Sequence, residues 1–119
     1  MASRFELVAD GTGKIHFVLR GQDGTALLES RACESKIMAQ NAVLHARTAL
    51  KTDANLTEQS SSDGKHALVL ADKDGSTLAR SAAHSSPSAL GTIRSSILAV
   101  AAAAPIVDLT KRSAASASR

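Results

Sequence analysis

The sequence predicts an α+β fold: two tandem β-β-β-α repeats plus a C-terminal strand, forming one antiparallel sheet with two helices packed on one face. Three observations carry this. First, the stretch Gly13 to Ser35 recurs fifty-one residues later as Gly64 to Ser86, with ten of its twenty-three positions unchanged and no gap. Among the unchanged positions are Val18/Val69, Leu19/Leu70, Asp23/Asp74, Gly24/Gly75, Leu27/Leu78 and Ser30/Ser81, so a folding unit has been copied. Second, apolar residues alternate at period two through Ile15-His-Phe-Val-Leu19, the spacing of a strand with one buried face. Third, each copy ends in a serine followed by apolar residues at helical spacing, a helix start signal.

The elements follow in order. Phe5 to Val8 is a first strand, Asp10-Gly-Thr-Gly13 a turn, and Lys14 to Arg20 a second strand whose Ile15, Phe17 and Leu19 share one face. Gly21-Gln-Asp-Gly24 is a second turn, because an Asp-Gly pair tolerates the positive φ of a tight connection. Thr25 to Ser30 completes a three-stranded meander. Ser35 then caps a helix running to about Lys51, with Ala39, Ala42, Ala46 and Ala49 on its inner stripe. In the second copy Leu56 to Gln59 is the linking strand, and Ser86 with Pro87 opens a helix carrying Leu90, Ile93, Ile97 and Val100. Larger side chains in the second helix face smaller ones in the first, as a shared core of fixed volume requires. Pro105 ends that run, and Ile106 to Thr110 reads as a last strand.

Composition bounds the rest. At 119 residues the chain fits a single domain, residues 1–110, made of repeats at about 3–53 and 54–110, followed by a flexible basic tail at 111–119. Its apolar residues are mostly Ala, Leu and Val, with two Phe and no Trp or Tyr, so the core is assembled from small pieces. One cysteine, Cys33, forms no internal disulfide, and the N-terminal residues lack the apolar run of a signal peptide. A cytoplasmic protein is expected. The apolar stretch Ile97 to Val107 is too short to span a bilayer, so no membrane role is predicted.

At Asp23-Gly24-Thr-Ala-Leu27-Leu-Glu-Ser30-Arg-Ala-Cys33-Glu-Ser35-Lys36, followed by the Ala42-Val43 helix, the chain resembles the YegP-like family of small bacterial and archaeal proteins. That family has an Asn/Asp-Gly turn, a strand ending in Ser-Glu-x-Tyr, and Ser-Lys opening a helix with Gly-Ile in its middle. The resemblance covers residues 3 to about 110 and implies an α+β fold of two meander-plus-helix units on one sheet. It implies no activity, since the family is uncharacterised in function. This chain departs from the pattern: Cys33 and His84 stand at the Tyr positions, Arg31 and Ala82 at the Glu positions, and Ala42 at the helix glycine.

No motif for chemistry emerges, and no enzyme activity or cofactor is expected. Gly11-Thr-Gly-Lys14 lacks the upstream glycine of a phosphate loop, and Val8 stands in that place. The four histidines, His16, His45, His66 and His84, fall on separate elements without metal-ligand spacing. Cys33 and His84 hold equivalent places and would form a thiolate pair only if a pseudo-twofold axis joined them. Ala67, Val69 and Ala71 put small apolar residues on the sheet face expected to be open, which predicts a covering surface, a second copy of the chain. Lys36 joins Arg20, Arg47 and Lys51 in a basic set, with the tail, that would suit nucleic acid. Interleaved acidic residues and the absence of exposed aromatics count against that alternative. The expected function is a non-catalytic interaction or structural module acting as a homodimer through the free sheet face. The candidate contacts are Cys33, His84, Lys36, Ala67, Val69 and Ala71.

Overall fold

The computed structural model describes residues 3–72, 74–101 and 103–110; the tail expected at 111–119 lies outside them. In chain order the elements are β1 (Arg4–Ala9), β2 (Ile15–Arg20), β3 (Ala26–Ser30), α1 (Lys36–Ala49), a 3-10 turn (Asp53–Asn55), β4 (Leu56–Ser60), β5 (His66–Ala71), β6 (Thr77–Arg80), α2 (Pro87–Val100) and β7 (Ile106–Asp108). The strands form one sheet in the order β4-β5-β6-β3-β2-β1-β7.

Local chemistry accounts for these boundaries. Asp23 accepts the Thr25 amide at 2.9 Å and Asp74 the Ser76 amide at 2.9 Å, each closing a hairpin whose glycine, Gly24 or Gly75, sits at φ +86° or +87°. Only glycine occupies that region freely. The amide donors that hold these carboxylates keep Asp23 below the ordinary carboxylate range, the Thr25 backbone contributing most. Both meanders also carry a bulge at the same step, between Leu19 and Arg20 and between Leu70 and Ala71. Ser35 caps α1 by accepting the Met38 amide at 3.2 Å, and Ser86 caps α2 by accepting the Ser88 amide at 3.2 Å.

Cross-strand register puts Phe5 and Leu7 opposite Leu19 and Phe17, Leu28 opposite Leu19, and Leu56 opposite Leu70. These residues share one face. They belong to a single apolar cluster that also contains Ala39, Val43, Ala46, Leu90 and Ile97 from the two helices. Contacts cross between the halves of the chain, α1 meeting β5 and β6 and α2 meeting β3.

One expectation is corrected. The sheet is mixed, because β7 runs parallel to β1 in the register Phe5↔Ile106 and Leu7↔Asp108. The Phe5 amide donates to the Pro105 carbonyl at 2.8 Å and the Leu109 amide to the Leu7 carbonyl at 3.0 Å. Topology explains the direction. After α1 the chain enters β4, beside its own hairpin partner β5; the corresponding lane after α2 is already filled by β1. The last strand therefore lies outside β1 and follows its direction.

On the opposite face, Glu6 is buried between two arginines, with Arg4 Nε and Arg20 Nε each 2.6 Å from a carboxylate oxygen. Burial pushes this carboxyl upward, but the hydrogen bonds and charges of Arg20 and Arg4 outweigh it, and the net shift is downward. A depressed folded-state pKa contributes stability that is present above the unfolded value, near 4.5, and is lost as pH falls through the folded one. Glu6→Gln is therefore expected to cost about 1–2 kcal/mol at neutral pH, the arginines being partly solvated. The difference from wild type should narrow on acidification. Thermal unfolding of both proteins between pH 7 and pH 3 tests this, and a constant difference would refute it.

Candidate functional site

The polar residues nominated by sequence occupy three separate places. Cys33 follows β3 and forms an isolated bridge with Ile15, its amide donating to the Ile15 carbonyl at 2.7 Å and its carbonyl accepting the Ile15 amide at 3.0 Å. Its thiol donates to the Arg31 carbonyl at 3.7 Å. Burial pushes that thiol up, only partly offset by the Arg31 charge, so the thiolate is disfavoured. His84 makes the same kind of bridge, exchanging hydrogen bonds of 2.7 Å with His66.

Cys33 and His84 do not meet. Because β3 and β6 are antiparallel, with Ser30 opposite Ala79, the two residues leave the seam in opposite directions. Cys33 instead lines a cavity of about 660 Å³ with His45, Asn41, Asp72 and Asp74. There the His45 Nδ1 stands 3.4 Å from an Asp72 oxygen. Among the described residues no three His, Cys, Asp or Glu side chains are grouped to hold a metal ion.

Lys36 makes an ion pair within the chain: its Nζ lies 2.9 Å from Asp108 Oδ2, linking the start of α1 to β7. Ala67, Val69 and Ala71 lie on the opposite face, as expected, but Val69 is only 3% exposed within one chain, and Ala67 and Ala71 are half-buried. Val18 on the same face is 4% exposed. The burial of Val69 and Val18 is complete within one chain, so it calls for no second subunit. Three members of the basic set have partners within the chain. Arg20 is bound to Glu6, Lys36 to Asp108, and Arg47 donates to the Ala104 carbonyl.

Sequence reasoning overlooked three features. Ser30 Oγ accepts the Phe17 amide at 2.9 Å and donates to the Arg31 carbonyl at 2.9 Å. Ser81 does the same for Leu68 and Ala82, again at 2.9 Å. The identity of Ser30 and Ser81 was the available signal. Arg47, whose guanidinium carbon is 5.4 Å from the centre of the Phe5 ring, left no signal, since its partners lie far away in sequence. The third is a cavity of about 600 Å³ at the β3/β6 seam, lined by Glu29, Arg31, Arg80 and the two serines among others. Its signal was that the copies differ in charge there, Glu29 answering Arg80 and Arg31 answering Ala82.

Together these elements define an α+β protein built on one mixed seven-stranded sheet and two helices, and among the described residues no helix is long and apolar enough to cross a membrane. The same fold occurs in two solved bacterial proteins. One is yegP from E. coli, a protein of unknown function, with a TM-score of 0.85, 22% identity, and coverage of 92% of this chain and 94% of that one. The other is a UPF0339 protein from Shewanella oneidensis, with a TM-score of 0.84, 22% identity, and coverage of 92% of each chain. No family model and no curated protein matches the sequence.

Proposed function

We propose that the chain is a non-catalytic interaction or structural module of the YegP-like type. In this reading it is a duplicated unit whose halves, about 3–53 and 54–110, share one sheet with both helices on one face. The observation that carries it is the pair of backbone bridges at Cys33 and His84. The same bridge is built with a thiol in one half and an imidazole in the other, so the position serves through its main chain and its side-chain chemistry is dispensable. The serines, Lys36 and Arg47 support the same reading, each being committed to a bond within the fold.

Alkylation of Cys33 followed against pH tests the reading. Slow modification at neutral pH is expected, with the rate rising only above the range of an ordinary thiol, because burial disfavours the charged form. A thiol that reacts rapidly at or below neutral pH would overturn the non-catalytic assignment. Homodimerisation across the opposite face keeps less support once Val69 is found covered. Nucleic-acid binding has less support too, since Arg20, Lys36 and Arg47 of its basic set are engaged within the chain.

A further inference from the structure

Six arginines lie among the described residues: Arg4, Arg20, Arg31, Arg47, Arg80 and Arg94. Four of these are engaged. Arg4 and Arg20 clasp Glu6, Arg47 holds the Ala104 carbonyl, and Arg94 also has an interaction within the chain. The side chains of Arg31 and Arg80 form no ion pair or hydrogen bond among the described residues; that of Arg31 exerts only a lesser electrostatic pull on Asp74 and Cys33. These two line the same cavity, one from each half of the chain.

The cavity lies along the short ladder that joins the halves, where β3 and β6 pair at Glu29↔Arg80 and Ser30↔Ala79. Two guanidiniums lining one concavity favour an anion there, and their planar forks match the oxygens of a phosphate or carboxylate. The volume, about 600 Å³, suits a small molecule. Glu29 opposes a second negative charge there, although its carboxylate is partly occupied by His16 Nε2 at 3.5 Å. It would accept a hydrogen bond from a hydroxyl or amino group.

We propose that the β3/β6 seam is a binding site for a small oxyanion, a phosphate or carboxylate, held between Arg31 and Arg80. This goes beyond the module reading and does not depend on it. Charge assignments in the site follow from what the copies lost: where the repeat exchanges Glu29 for Arg80 and Arg31 for Ala82, the seam gains two cations and one anion in place of a symmetric set.

The test is an NMR titration of the isotope-labelled full chain at constant ionic strength, with inorganic phosphate in one arm and malate in the other. Saturable shifts are expected at the Arg31 and Arg80 side-chain N–H groups and at the Ser81 and Ala82 amides, and the arm with the tighter binding identifies the oxyanion. Arg80→Gln or Arg31→Gln should weaken binding about tenfold or more, the range of a lost charged hydrogen-bond pair. Arg80→Lys, which keeps the charge and disturbs the surface least, should still weaken it severalfold because the fork is lost. Glu29→Gln should tighten it, and Lys51→Gln should leave it unchanged. Shifts that stay linear, that spread equally to Lys51 and Lys65, or that survive Arg80→Gln would mean nonspecific counterion attraction and overturn the site. Such a result leaves the alkylation test of Cys33 untouched.

Discussion

Phe5→Ala is expected to lower stability by about 3–5 kcal/mol, the cost of a large cavity in a packed core, which is much of what holds a domain of this size folded. Phe5 is fully buried and meets Phe17 edge to face, the ring centres 5.6 Å apart at 74°. These are the chain's only two aromatic residues, and the rest of the cluster is Leu, Ile, Val and Ala. No large neighbour can swing into the space. The ring also carries the Arg47 guanidinium, while the Phe5 amide anchors Pro105 at the entry to β7. Loss of the ring therefore loosens the outermost strand as well as the core. Urea unfolding measures the effect. A double-mutant cycle with Arg47→Met should give a coupling of about 0.5–2 kcal/mol between ring and cation. A Phe5→Ala loss below about 1 kcal/mol would show that the core refills, contrary to the packing described.

Arg47 illustrates where sequence reading stops. The strand pattern of Ile15 to Leu19 and the caps at Ser35 and Ser86 are local signals, and the elements they predict stand within a residue or two of the observed ones. The third strand begins at Ala26 where Thr25 was expected, and the last ends at Asp108 where Thr110 was expected. Local periodicity reports which side of an element is apolar. It does not report what distant chain lies against that side. Val69 looked uncovered because its strand neighbours Ala67 and Ala71 are small, yet it is only 3% exposed within one chain. Cys33 and His84 looked paired because equivalence in sequence says nothing about separation in space. The antiparallel seam carries them apart.

The direction of β7 belongs to the same class of miss. Every hairpin in the chain enforces antiparallel pairing, since a tight turn can do nothing else, and a meander extrapolates to an antiparallel sheet. A strand delivered by a helix is free of that constraint. Its lane and direction depend on which positions earlier strands have filled, information spread over the whole topology. The seam cavity shows a partial exception, because there the divergence of charge between the copies was visible in sequence even though the cavity was not.

Ser30→Ala and Ser81→Ala are each expected to cost about 1–3 kcal/mol, and the double variant about 2–6 kcal/mol. The reason lies at the end of each ladder. The β2/β3 register reaches Val18↔Glu29, after which the chain turns away at Arg31. The Phe17 amide is then served by the Ser30 hydroxyl at 2.9 Å, inside a residue that is fully buried. Leu68, 1% exposed, depends on Ser81 in the same way. Alanine removes the acceptor, leaves a buried N–H without a partner, and frees the carbonyl of Arg31 or Ala82 that the hydroxyl had bonded. Both serines line the seam cavity, but Phe17 and Leu68 are themselves buried, so their amides carry a desolvation penalty once the hydroxyl is gone. The two single variants should match within about 0.5 kcal/mol, because the bond lengths and burial are alike, and the double should be additive if the halves bear load independently. Denaturant midpoints for the three proteins decide it. If one serine proves dispensable and the other does not, the two ladder ends are not physically equivalent, and the duplicated-unit reading of the fold loses its mechanical basis.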